Sequence, residues 1–314
     1  LEAAPLFEDV AGGPPDGVAH WCRAPDGLRL RIAHWRPETA RGTILLFPGR
    51  TEYVEKYGPA ADILARAGLA TIAIDWRGQG LSDRLLDDRL GGHVMAFSDY
   101  QMDVDALLAA ASELDLPRPY FLLGHSMGGA IGLRALHAGL DVAACAFSSP
   151  MWGISLSATL RPLAWTLSWS ARRIGLGHRY APGTSRGSYP NTVPFAENLL
   201  TDDPDQLAWL ARQTELHPDL ALGGPSLRWL HEALSETRAL DRIPSPDLPC
   251  LTFFGTDEKI VDLDRIERRM ARWTGGELLR IEGGRHETLF ETPDRRRRAF
   301  DALTAHFEAY LPAV

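Results

Sequence analysis

Residues 119–136 read PYFLLGHSMGGAIGLRAL. Apolar residues run up to Leu123, one serine follows among glycines, and apolar residues at helical spacing begin directly behind it. The order expected is a buried strand, a tight turn and a helix. Gly124, Gly128 and Gly129 mark places where a side chain would clash or where the backbone must turn as other residues cannot. The stretch from Gly124 to Gly128 fits G-x-S-x-G, and a strand before it with a helix behind it is the setting that gives this pattern meaning. The turn lifts the hydroxyl of Ser126 above the strand end. The helix behind it points free N–H groups and its positive dipole end at charge developing there.

The surrounding chain supports that setting. GTILLFPGR (42–50) and ATIAIDWRGQG (70–80) each read as a strand running into a loop, with a helix expected over 53–69 between them. Further helices are expected over 99–114 and 128–139, and a strand over 142–150. Strands that are apolar almost throughout, alternating with helices, define an α/β protein whose mostly parallel sheet is covered on both faces. HWCRAPDGLRLRIAHWRP (20–37) alternates around Pro-Asp-Gly, so an antiparallel hairpin is expected at the sheet edge.

Residues 151–239 break the rhythm. They contain no convincing strand, and Leu156, Leu160, Leu163 and Leu167 fall on one helical stripe with Trp165 and Trp169 alongside. Alternation resumes with strands over 248–255 and 277–283, and with helices over 263–273 and 293–310. The expected organisation is therefore a core of residues 1–150 and 240–314, interrupted by a helical cap over 151–239.

A serine hydroxyl alone is a weak nucleophile. It needs a base, and the base needs an acid to orient it. In this architecture the chain order is serine, acid, histidine. The loop after the 248–255 strand, GTDEKIVD (255–262), offers Asp257, Glu258 and Asp262. The loop after the 277–283 strand, GGRHE (283–287), offers His286 as base. The other nine histidines, among them His93, His125, His178, His217 and His231, read as helix, turn or insert residues. None has a metal-ligand spacing, so no metal is expected.

Composition narrows the class. The net charge of −8 and the lack of any long basic stretch argue against a nucleic-acid partner. The run Arg295–Arg298 reads as a solvated helix face. Cys22, Cys145 and Cys250 are too few and too far apart for a disulfide framework. No apolar run is long enough to span a bilayer, and the first residues lack a secretory pattern, so a cytoplasmic location is expected.

FPGRTEYVEKY, DWRGQGLSD, GGHVMAFSDYQMDV, LLGHSMGG, FFGTDEKIVD and GGRHETLFE occur in that order. On these motifs the chain resembles the α/β-hydrolase superfamily, and within it the branch of monoacylglycerol lipases and bacterial lysophospholipases. The resemblance covers about 42–150 and 240–312 well and the insert only loosely. It implies a mostly parallel eight-stranded sheet with the N-terminal hairpin, and a cap over the site. It implies Ser126 as nucleophile and His286 as base. Glu258 stands at the family's acid position, where Asp is usual, and Asp257 and Asp262 remain alternatives. The oxyanion donors implied are the backbone N–H groups of Met127 and Arg50, with Pro48 standing where the family usually has His. The Arg50 side chain either points at a phosphate-bearing headgroup or pairs with Glu52 or solvent.

The activity implied is hydrolysis of small-molecule acyl esters, monoacylglycerols or lysophospholipids, through an acyl-enzyme and without a cofactor. Acyl transfer, perhydrolysis or C–C hydrolysis on the same triad is an alternative, as is a ligand-binding protein that keeps the fold without turnover. The cap's apolar residues have two readings. They pack the cap, or they form an acyl tunnel whose outer face makes transient contact with a membrane surface.

Overall fold

The computed structural model describes residues 1–157 and 159–312. Near the N-terminus lie β1 (Glu2–Ala4), the one-turn helix α1 (Glu8–Ala11), β2 (Val18–Arg23) and β3 (Arg29–Trp35). Strands and helices then alternate as β4 (Gly42–Phe47), α2 (Gly58–Arg66), β5 (Leu69–Asp75), α3 (Tyr100–Glu113), β6 (Tyr120–His125), α4 (Met127–His137) and β7 (Ala144–Ser148). Between β7 and β8 (Cys250–Gly255) come α5 (Leu160–Arg173), α6 (Tyr189–Thr192), α7 (Pro204–Leu216) and α8 (Leu227–Leu240). The chain closes with α9 (Leu263–Met270), β9 (Gly276–Ile281) and α10 (Pro293–Glu308).

The strands form one sheet in the order β1-β2-β3-β5-β4-β6-β7-β8-β9. Pairing is antiparallel from β1 through β5 and parallel from β5 through β9. This is the α/β-hydrolase architecture, with nine strands where eight were expected. The added strand, β1, is three residues long and pairs Glu2 with Trp21 through Ala4 with Ala19. A segment that short carries no legible alternation.

The central strands are buried on both faces, which is why they read as unbroken apolar runs. Leu45, Phe47, Leu122 and Cys145 pack on one side, with Leu107 of α3 and Ile131 of α4. Ile44, Leu46, Phe121 and Leu123 pack on the other, with Leu64 of α2 and Leu303 of α10.

This topology creates the site. From β4 the chain moves to β5 on one side and later returns to β6 on the other. The loops after β4 and β6 therefore diverge, and a crevice opens at the strand ends, as open α/β sheets show at such switch points. A buried cluster fixes the crevice wall. Arg31 donates to Asp75 and to Glu55 at 2.7 Å, and the Asp75 carboxylate also accepts from the Val54 and Leu81 amides at 2.8 Å. Buried charges are tolerable when their partners are this complete, and here they tie the loops after β4 and β5 to the sheet.

The stripe expected on the first insert helix is not buried. Leu160, Leu163 and Leu167 are exposed, and α5 buries Ser168 and Ala171 instead, with Ala171 packing on Leu227 and Leu230. Small residues at that seam let α5 lie close on α8, so the leucines face outward. No helix among the described residues is long and apolar enough to cross a membrane.

Candidate active site

Ser126 sits between the last residue of β6 and the first of α4, with φ 50° and ψ −116°. A non-glycine residue rarely adopts such a conformation, which costs on the order of 1–3 kcal/mol and persists only where surroundings over-determine it. They do so here. The Ser126 amide donates to Ser148 O at 3.0 Å, and Ser126 O accepts from the amides of Gly129 at 2.9 Å and Met151 at 2.8 Å. The glycines permit the close packing: a Cβ on Gly124 would lie 2.9 Å from Gly128 O, and one on Gly128 would collide with Phe47 O.

The structure brings three of the expected residues into one line. Ser126 Oγ lies 2.9 Å from His286 Nε2, and His286 Nδ1 lies 2.6 Å from Glu258 Oε2. All three are buried or nearly so. The second carboxylate oxygen of Glu258 accepts from the Ile260 and Val261 amides. Burial pushes this carboxyl upward, but the charge and hydrogen bond of His286, with those two amides, hold it below its ordinary value. Asp257 is exposed, and Asp262 caps α9 through the Arg265 amide and pairs with Arg161. Neither of these acids is the hydrogen-bond partner of His286.

The loop after β4 places Arg50 beside Ser126 on the wall of one cavity of about 600 Å³. The cavity extends under the insert, reaching Leu210, Leu222 and Trp229. Among the described residues the amides of Arg50 and Met127 donate to no protein acceptor. The Arg50 side chain does not pair with Glu52: its Nη2 donates to Gly223 O, and its Cζ lies 5.3 Å from the Trp229 ring centre.

Beneath the serine lies a group that motif reading passed over. Lys56 Nζ is 2.7 Å from Glu52 Oε1 and 2.7 Å from Glu287 Oε1. His125 Nε2 is 3.3 Å from an oxygen of each carboxylate, in charge contacts rather than aligned hydrogen bonds. The His125 ring centre is 5.0 Å from that of His286. Burial alone would lower the His125 pKa, yet Glu287 and Glu52 outweigh it and raise it to about 10. Burial likewise opposes the Glu287 charge, and Lys56 with His125 reverses that, holding the carboxyl well below its ordinary range. Among the described residues Glu52, His125 and Glu287 form the one cluster with metal-ligand chemistry, and the Lys56 ammonium already lies against both carboxylates. The sequence places His125 in a helix, a turn or the insert. It ends β6, and His20 and His34 lie in β2 and β3. The Glu52–Lys56 spacing of four was the one local signal of this group.

The insert grips the loop that carries His286. The amides of His286 and Glu287 donate to Leu199 O and Leu200 O at 3.4 and 2.8 Å, and Arg285 donates to the carbonyls of Asn198 and Thr201.

This fold and site define a serine hydrolase of the α/β-hydrolase class. Residues 38–293 match the family model for Serine aminopeptidase, S33, and the chain belongs to that family. It is 32% identical over 298 residues to lysophospholipase L2 of Escherichia coli K12, covering 91% of this chain and 86% of that protein. It is 36% identical over 126 residues to monoglyceride lipase of Rattus norvegicus, 39% of each chain. A soluble variant of monoglyceride lipase from Saccharomyces cerevisiae, solved with a substrate analog, shares the fold. Its TM-score is 0.73 at 20% identity, covering 99% of this chain and 100% of that one.

Proposed function

We propose that the protein is a carboxylic-ester hydrolase of lysophospholipids and monoacylglycerols. The hydrogen-bonded line from Ser126 through His286 to Glu258, at the wall of a cavity large enough for an acyl chain, carries the reading. Ser126 Oγ attacks the ester carbonyl carbon while His286 Nε2 takes the hydroxyl proton. The imidazolium keeps its Nδ1–H on Glu258, whose charge is stabilised by the Ile260 and Val261 amides. The oxyanion forms against the N–H groups of Arg50 and Met127. Collapse breaks the ester C–O bond, and the alcohol leaves with the proton from His286. Water then attacks the acyl-enzyme, gives its proton to His286, and the acid departs as Ser126 regains its hydrogen.

In this reading residues 151–239 act as a cap that roofs the acyl site. Leu163 and Ile174, 61% and 68% exposed, stand with Trp169 on the outer side, and Arg173 lies over the Trp169 ring. Apolar residues beside arginines suit contact with a lipid surface.

Labelling with a fluorophosphonate tests the proposal. The expected result is one adduct on Ser126, absent in Ser126→Ala, with hydrolysis of monoolein and lysophosphatidylcholine lost in the same variant. Glu258→Gln should lower kcat by about 10³–10⁴-fold, whereas Asp257→Asn should change it less than about threefold. Undiminished hydrolysis by Ser126→Ala would overturn the proposal.

A further inference from the structure

Arg50 lies on the wall of the cavity that contains Ser126. Among the described residues no carboxylate lies within salt-bridge distance of it, its only hydrogen bond is from Nη2 to Gly223 O, and its Nε is buried without an acceptor. Burial depresses its pKa to about 10, which leaves it a cation at neutral pH. A buried arginine shows the contrast. Among the described residues Arg269 also lacks a carboxylate, but it donates to the carbonyls of Leu240 and Ile243 and to Ser245 Oγ, and it does not line the cavity that contains Ser126. A partly buried cation that is neither paired nor fully hydrogen-bonded carries part of the cost of a buried charge. Arg50 has that cost beside the cavity into which a substrate enters.

We infer that the Arg50 guanidinium is a subsite for the phosphate of an acyl glycerophosphoester; the inference rests on the hydrolase reading above. The planar fork of arginine suits two phosphate oxygens. The two lengths in bonds are equal. From the backbone nitrogen of Arg50 to its Cζ there are as many bonds as from an ester carbonyl carbon, across a glycerol, to the phosphorus of a lysophospholipid. One residue therefore holds the oxyanion with its amide and the phosphate with its side chain. A monoacylglycerol of the same chain length fills the site without answering that charge. The subsite is thus a selector between the two substrate types that the relatives' names suggest.

The readout is the ratio of kcat/KM for lysophosphatidylcholine to kcat/KM for a monoacylglycerol of equal chain length, so any loss common to both cancels. Arg50→Met should lower that ratio by about 10- to 100-fold, and Arg50→Lys, a point charge without the fork, by less. Fluorophosphonate labelling of Ser126 runs in parallel. Labelling in Arg50→Met with an unchanged ratio overturns the phosphate subsite and leaves the hydrolase reading intact, whereas no labelling of the wild-type protein overturns both. If Arg50→Met does not fold, Arg50→Lys and the wild-type competition decide. Glycerophosphocholine and inorganic phosphate are each added to wild-type hydrolysis of p-nitrophenyl butyrate. Competition by glycerophosphocholine assigns the subsite to a lipid headgroup, and competition by inorganic phosphate alone assigns it to free phosphate. Competition by neither, with an unchanged ratio in Arg50→Lys, overturns the subsite.

Discussion

Beneath Ser126, Glu52, Lys56, His125 and Glu287 sum to zero charge and face one another at 2.7–3.3 Å, whereas the cavity wall toward the insert carries Arg50 with no carboxylate beside it among the described residues. Arg50 and Glu52 belong to one loop, two positions apart. The difference separates two uses of buried charge. Charges that position other groups are satisfied within the protein, so they hold a fixed geometry before any substrate arrives. A charge that binds is left for the ligand to satisfy. Glu287 adjoins His286, and His125 adjoins Ser126, so the neutral quartet is tied to both through the backbone.

Removing the cation from the quartet should produce the largest change. Lys56→Met leaves two carboxylates facing one imidazolium, and breaking a buried pair in this way costs about 3–5 kcal/mol, to be read from urea unfolding midpoints. Adding Glu287→Gln restores the balance and should recover part of the loss. If Lys56→Met is as stable as wild type, the quartet does not position the site.

A smaller effect comes from pH. The folded-state pKa of His125 is raised from 6.5 to about 10. Its contribution to stability is therefore full below about pH 6.5 and is lost as pH rises toward 10, by a sum on the order of a few kcal/mol. Chemical denaturation across that window should show stability falling, and His125→Gln should remove most of the slope. A slope unchanged in the variant would assign it to other groups.

The outer face of α5 gives the smallest effect and sharpens the contrast from outside. Replacing Leu163, Leu167 and Trp169 by Ser should alter stability by less than about 1 kcal/mol in total, since all three are exposed. Hydrolysis of vesicle-borne ester should nevertheless fall roughly tenfold relative to a soluble ester. Equal rates on both would overturn the proposed lipid contact of α5.

Much of this was legible in sequence because it depends on local pattern. The stretch from Tyr120 to Leu136 carried strand, turn and helix in its apolar spacing and glycines, and the late strands placed acid and base loops in order. The choice among Asp257, Glu258 and Asp262 turned on which carboxylate the loop after β8 aims at His286, which spacing alone does not determine. The quartet was hidden because its members come from the loops after β4 and β9 and from the end of β6, and only folding joins them. The Leu160, Leu163 and Leu167 stripe showed a true helical face. Periodicity does not say what covers such a face, and here the packing of Ala171 on α8 turned it outward.

The central claim is that Ser126 carries the acyl group during turnover. Acid-quenching the protein during hydrolysis of a p-nitrophenyl ester, then mapping peptides by mass, tests it directly. The account predicts one acyl adduct on Ser126 that decays as the ester is exhausted and is absent in Ser126→Ala. Turnover with no adduct on that residue, or with the adduct elsewhere, would contradict it.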